Sequence, residues 1–280
     1  MSAPSLTDRA ALSRNRARAL KQGAELFLHD EAAAEIEERL SEVNKTFMAP
    51  AVVTGFPGPW AEILPGARIV ADEEVLALDP GAHDLVIHAL ALHWANDPVG
   101  QLVQCRRALR PDGLFVGVLF GGRTLSELRA ALAEAESRLT GGLSARVLPM
   151  GEIRDLGALL QRAGFALPVA DAARTTVTYA TAFHLIADLR AMGEGNALTL
   201  RPRRAAPRAL FPEAARLYAE TFPAGDGRIA ATFEMVFLTG WAPDDSQQKP
   251  LRPGSATARL AEALGAAETP LGDRPMPGEH

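Results

Sequence analysis

The chain has 280 residues, and its 29 Lys and Arg set against 34 Asp and Glu leave a formal charge of −5. That balance excludes a nucleic-acid protein held by bulk charge, because neutralising phosphates requires a concentrated basic surface. A single cysteine, Cys105, excludes an internal disulfide framework and a Cys-rich zinc site, and no apolar run approaches the roughly 20 residues of a membrane span.

Residues 6 to 45 are rich in Ala, Leu, Arg and Glu and read as helical, with Phe27, Ile36 and Leu40 on one apolar stripe. Arg9, Arg14, Arg16, Arg18 and Lys21 cluster at the start. No apolar segment follows them as in a secretory signal, and they read as a solvated helix face rather than a docking surface for an acidic partner. These features place the protein in a reducing, cytoplasmic compartment.

From Pro50 the texture changes. Ala51-Val52-Val53-Thr54 reads as a strand entering the tight loop Gly55-Phe56-Pro57-Gly58-Pro59. Arg68-Ile69-Val70-Ala71 and Asp84-Leu85-Val86-Ile87-His88 are two further strands, and residues 99 to 109 have helical spacing. Pro111-Asp112-Gly113 forms a turn before the apolar run 114–120, which suits a strand buried on both faces of a parallel sheet. Gly121-Gly122 precedes a helix over 124–139, where Thr124 is placed to cap against Glu127. A helix over 153–162 stops at Gly164. Alternating strands and helices predict an α/β layered domain with a mainly parallel sheet.

Several of these segments resemble one family. Ala71-Asp72-Glu73-Glu74-Val75-Leu76, the strand around Val86, Leu92-His93-Trp94 and the stretch 109–115 are similar to the second half of a class I S-adenosylmethionine-dependent methyltransferase. The segments 121–129, 155–160, 162–165 and 188–194, Asn196, Ala231-Thr232 with Gly240-Trp241, and Gly254-Ser255-Ala256-Thr257 resemble one branch of it. That branch holds the mitochondrial complex I assembly factor and is related to the malonyl-carrier-protein methyltransferase of biotin synthesis. The likeness runs over residues 71 to 265. It implies a Rossmann-like methyltransferase sheet, shortened at its N-terminal half, with helices over 1–48, a core over 49–170, a cap over 171–265 and a disordered tail over 266–280.

The resemblance implies a cofactor, S-adenosylmethionine, bound by Gly55, Gly58, Asp72, Glu73, Ala89 and Leu90. The family's loop runs acid, any residue, then three alternating glycines, whereas here it reads Val53-Thr54-Gly55-Phe56-Pro57-Gly58-Pro59, and only Gly55 keeps its place. Proline removes a backbone donor and fixes φ, so the loop is degraded. Asp72 follows Gly55 by 17 positions (72 − 55), near the spacing of about 20 for a ribose-binding acid. Alternatively it is the acid after the third strand, which implies that a whole strand has been lost. His93 is a candidate general base and, with Trp94, Met192, Glu194 and Asn196, a candidate substrate contact. The alternative is that His93-Trp94 is a structural corner and Met192 a core residue. His88 and His93 lack a carboxylate at ligand spacing, so no metal is expected, and Cys105 reads as a small buried hydrophobe.

Two functions remain open from the sequence. One is transfer from S-adenosylmethionine to a small-molecule or protein acceptor, to which the resemblance to the assembly-factor branch adds a variant, modification of an arginine of a respiratory complex subunit by hydroxylation rather than methylation. The other is a cofactor-free binding or assembly protein that retains the fold, since fold alone does not fix function.

Overall fold

In the computed structural model, residues 5–247 are described. Chain contacts divide the molecule into a unit of Met1–Asp244 and a second of Asp245–His280. All that follows concerns the first, so the 254–257 motif and the tail over 266–280 lie outside the described residues.

The helical region at the start is two helices, α1 (Arg9–Gln22) and α2 (Phe27–Glu42), separated at Gly23 with φ +86°. Asp8 caps α1 by accepting the Ala11 N–H at 3.0 Å. A parallel set follows: β1 (Pro50–Thr54), α3 (Pro57–Ile63), β2 (Arg68–Val70), β3 (His83–Ala89), α4 (Pro98–Ala108) and β4 (Leu109–Phe120). Then come α5 (Ser126–Thr140), α6 (Ile153–Ala163), β5 (Ala166–Tyr179), α7 (Ala182–Ala191), α8 (Leu210–Thr221), β6 (Pro223–Gly225) and β7 (Arg228–Trp241).

The sheet runs β2-β1-β3-β4-β7-β5, with β6 paired to β7. β2, β1, β3 and β4 are parallel, and β7 is antiparallel to both β4 and β5. Successive residues of the parallel strands face opposite layers, as strand geometry requires. Val52, Ile87 and Val116 join α2, α5 and α8 in one core, while Val53, Val86 and Phe115 join α4 and α6 in the other. Both faces are covered, which explains the near-continuous apolar runs of these strands.

The α/β architecture agrees with the sequence reading, and so does its shortening. Among the described residues only β2 lies beyond β1, and the crossover between them holds just the seven residues of α3. The boundary placed at 170/171 falls inside β5, and β5 and β7 complete the main sheet rather than a cap. Thr124 does not form the expected capping box. Its hydroxyl donates to the Glu234 carbonyl (3.1 Å) while Glu127 turns to Thr232, so the helix begins two residues later.

Candidate functional site

The C-terminal ends of β1, β2 and β3 converge beside α1. β1 stops at Thr54, whose hydroxyl accepts the Phe56 N–H at 3.2 Å, and Pro57 opens α3, where its missing N–H costs nothing. Gly55 therefore lies at the strand end where a backbone approach is possible. That approach is taken: a Cβ on Gly55 would overlap the Arg16 guanidinium. Arg16 reaches Asp72 at 2.5 Å, and Arg9 holds the same carboxylate at 3.2 Å and the Asp72 carbonyl at 2.5 Å. Asp72 is 3% exposed and Arg16 8%. Burial pushes the Asp72 carboxyl up, but Arg16 and Arg9 together outweigh burial and hold it below the usual carboxylate range.

These contacts correct two expectations. The basic cluster is not uniformly solvated, because Arg16 is buried and Arg9 largely so, while Arg14, Arg18 and Lys21 are exposed. Gly58 does not accompany Gly55, since it is exposed in the first turn of α3 with open space around it. The two alignments of Asp72 meet in one place, two residues past the strand that flanks β1. Glu73 points to solvent and touches Arg9 only at 4.0 Å. Ala89 and Leu90 are buried in the core, with Leu90 at φ +43° donating its N–H to Val118.

The second part of the site follows β3. A single 3₁₀ turn, Leu92–Trp94, buries His93 and Trp94. The Trp94 indole N–H donates to Glu194 at 2.8 Å, and His93 Nε2 lies 3.4 Å from the same oxygen. Glu194 comes from the turn after α7, where Gly193 at φ +74° lets the backbone reverse. A Cβ there would meet Phe56 at 2.7 Å and Arg16 at 3.1 Å. That turn thus covers the ends of β1 and β3. Burial pushes the Glu194 carboxyl up, while His93, Arg16 and the Trp94 indole overcome it and hold Glu194 below its usual range.

Beside Glu194 opens an apolar cleft of about 200 Å³, walled by Phe120, Leu128, Met150, Leu189 and Phe233 and reached by Trp94, Met192 and Asn196. Arg146 also lines it, but its charge is met by Glu136 at 2.6 Å. Asn196 spends its side chain on Ala145 and Leu198, fixing the rim. Met192 is 2% exposed and serves both core and cleft. The structure thus joins Trp94, Met192, Glu194 and Asn196 at one cleft. His93 stands behind it, against Phe120 (ring centroids 5.0 Å apart). Gly55 and Asp72 lie outside it. Cys105 is fully buried, and burial pushes its thiol up. Among the described residues no group of three potential metal ligands occurs, and no helix is long and apolar enough to cross a membrane.

Sequence reasoning missed Arg146 and misread Arg9 and Arg16 as part of a solvated helix face. For those two a signal existed, because a seven-residue spacing sets both on one helix face.

The sequence was compared with known proteins. Residues 58–117 match a family described as a methyltransferase domain. A zebrafish (Danio rerio) protein named arginine-hydroxylase NDUFAF5, mitochondrial, is 36% identical over 229 residues, covering 81% of this chain and 71% of that protein. The chain belongs to the S-adenosylmethionine-dependent methyltransferase family. Within it, the mouse (Mus musculus) protein of the same name is 42% identical over 199 residues, 71% of this chain and 58% of that protein. A malonyl-[acyl-carrier protein] O-methyltransferase of Halorhodospira halophila is 33% identical over 214 residues, 75% and 70% of the two chains. The chain thus spans little more than half the length of the mouse relative. The branch resemblance holds, and nothing in these relatives favours a cofactor-free protein. The expected cytoplasmic location is corrected, since the mouse and zebrafish relatives are named as mitochondrial.

Family membership supports S-adenosylmethionine as the cofactor. The cradle as arranged does not fit it, because Arg16 fills the space over Gly55 and Asp72 is already paired with two guanidinium groups.

Proposed function

We propose that this methyltransferase-family enzyme receives an arginine side chain of a protein in the apolar cleft, with the guanidinium against Glu194. The observation that carries this reading is a carboxylate held charged on the wall of a mostly apolar cleft, whose other charged lining residues are Arg146, neutralised by Glu136, and the exposed Arg190. A guanidinium on an aliphatic stem matches that pattern: the walls of the cleft take the stem, and a carboxylate recognises the planar head with charge-assisted hydrogen bonds. Trp94 fixes the carboxylate through its indole N–H, and His93 backs it as a positioning residue. The relatives named arginine-hydroxylases support arginine as the acceptor. With the resemblance to the assembly-factor branch, they support a subunit of a respiratory complex as the protein that carries it and the mitochondrion as the compartment.

The test is a titration with a short peptide carrying one arginine between apolar residues, and with the same peptide carrying citrulline. The arginine peptide is expected to bind about tenfold tighter, and Glu194→Gln to abolish that preference, about 1.4 kcal/mol. Equal affinity of the native protein for the two peptides would sink the reading.

A further inference from the structure

α1 touches both halves of the site. On the cradle side, Arg16 fills the space over Gly55, pairs with Asp72 at 2.5 Å and sits with its guanidinium carbon 5.9 Å from the centre of the Phe56 ring. The fit is incomplete, because the buried Nε atoms of Arg9 and Arg16 have no hydrogen-bond partner. On the cleft side, the Asp8 N–H donates to Ala197 (2.8 Å) and Asn15 donates to the Gly195 carbonyl (2.9 Å). Asp8 also pairs with Arg201 (2.8 Å) and Arg203 (3.4 Å). Gly193 lies against both Arg16 and Phe56.

We propose that Arg16 is an internal occupant of the cofactor cradle, so that docking of α1 and binding of cofactor exclude each other. This rests on the chain's being a member of a family that uses S-adenosylmethionine. The geometry gives the exclusion its reason. Gly55 is open to a backbone approach only when the guanidinium leaves, and Asp72 is available to ribose hydroxyls only when its two arginines release it. Release has a second effect: α1 also holds Gly195 and Ala197, on or next to the cleft rim formed by Glu194, Gly195 and Asn196, so undocking loosens that rim. Cofactor entry and acceptor access are thereby coupled through one helix, a two-state element that both sites bias.

The experiment uses the full chain and S-adenosylhomocysteine as the probe, titrated by calorimetry into the native protein, Arg16→Ala and Asp8→Ala. The second variant removes the α1 cap and the Asp8 ion pairs to Arg201 and Arg203, weakening the seat of α1 while leaving Gly55, Asp72 and Arg16 in place, which guards against an Arg16 variant that does not fold. Amide hydrogen exchange at Gly55, Phe56 and 193–198 is followed without ligand. Both variants are expected to bind at least tenfold tighter than the native protein and to exchange at Gly55 and Phe56 at least tenfold faster. Equal affinity of native and variant proteins for the probe overturns the proposal while leaving the methyltransferase reading intact. No binding by any of the three, with Gly55 exchange accelerated in the variants, overturns both. The arginine-acceptor reading fails separately, on the peptide titration.

Discussion

Asp72 must remain charged where burial opposes charge, and it does so only because two guanidinium groups face it. Exchanging it for Asn keeps the shape and removes the charge, leaving Arg16 without its ion pair and Arg9 with only the exposed Glu73 at 4.0 Å. Breaking a buried pair from one side costs about 3 kcal/mol. Asp72→Asn is therefore expected to lower the urea midpoint by that equivalent, whereas Arg9→Ala costs less because its side chain is 19% exposed. An unchanged midpoint for Asp72→Asn would contradict the pairing. The acid itself was legible in the sequence, as a carboxylate ending a short strand. Its partners were not, because they lie 56 and 63 positions upstream in a helix that reads as ordinary surface.

At the level of elements, the glycine stop of α6 was readable. α6 ends at Gly164 with φ +81°, where its N–H and that of Phe165 return to Gln161 and Leu160. Arg106 binds the Ala163 carbonyl at 2.7 Å beside it. An L side chain is strained in this conformation, so Gly164→Ala should destabilise the protein by about 1 kcal/mol. Thermal unfolding reads that as a fall of a few degrees, and an unchanged midpoint would refute the cap. β1, β3 and β4 were legible because both faces of each are covered, which yields unbroken apolar runs. β5 was not, because one face is wet: Arg174, Thr176 and Thr178 alternate with Ala173, Thr175 and Val177, and the result reads as a polar surface segment. Its pairing with β7 from Ala166 to Tyr179 depends on residues 50 or more positions away. Capping at Thr124 misled for a related reason, since Glu234 on β7 offered its backbone groups to the same hydroxyl.

The whole molecule carries a pH dependence set by two buried histidines. Burial lowers both His29 and His88 to about 4. Above pH 6.5 each is neutral whether the chain is folded or unfolded, so neither favours one state. Between about pH 6.5 and 4 the unfolded chain takes up protons that the folded chain refuses, and stability is lost as pH falls through that window. The loss is up to about 3 kcal/mol per histidine. Thermal midpoints are expected to drop from pH 7 to 4.5, and His88→Gln to flatten the slope; a level profile over that range would contradict the burial of neutral imidazole. Asp72, held below its usual range, adds to the loss only at lower pH.

The placement of β7 also bears on how the chain assembles. Among the described residues β7 is the last strand of the sheet in chain order, yet it lies between β4 and β5, which precede it by more than a hundred and by about fifty residues. During synthesis β5 has no neighbour in the sheet until residues 228–241 emerge, and the open side of β4 waits with it. Two backbone edges thus stay unsatisfied over the same interval, and such edges invite pairing with other chains. A chain cut short before residue 228 would lose the seam of the sheet rather than a peripheral hairpin, and would meet the cell's quality control as a sticky intermediate rather than as a merely weakened fold.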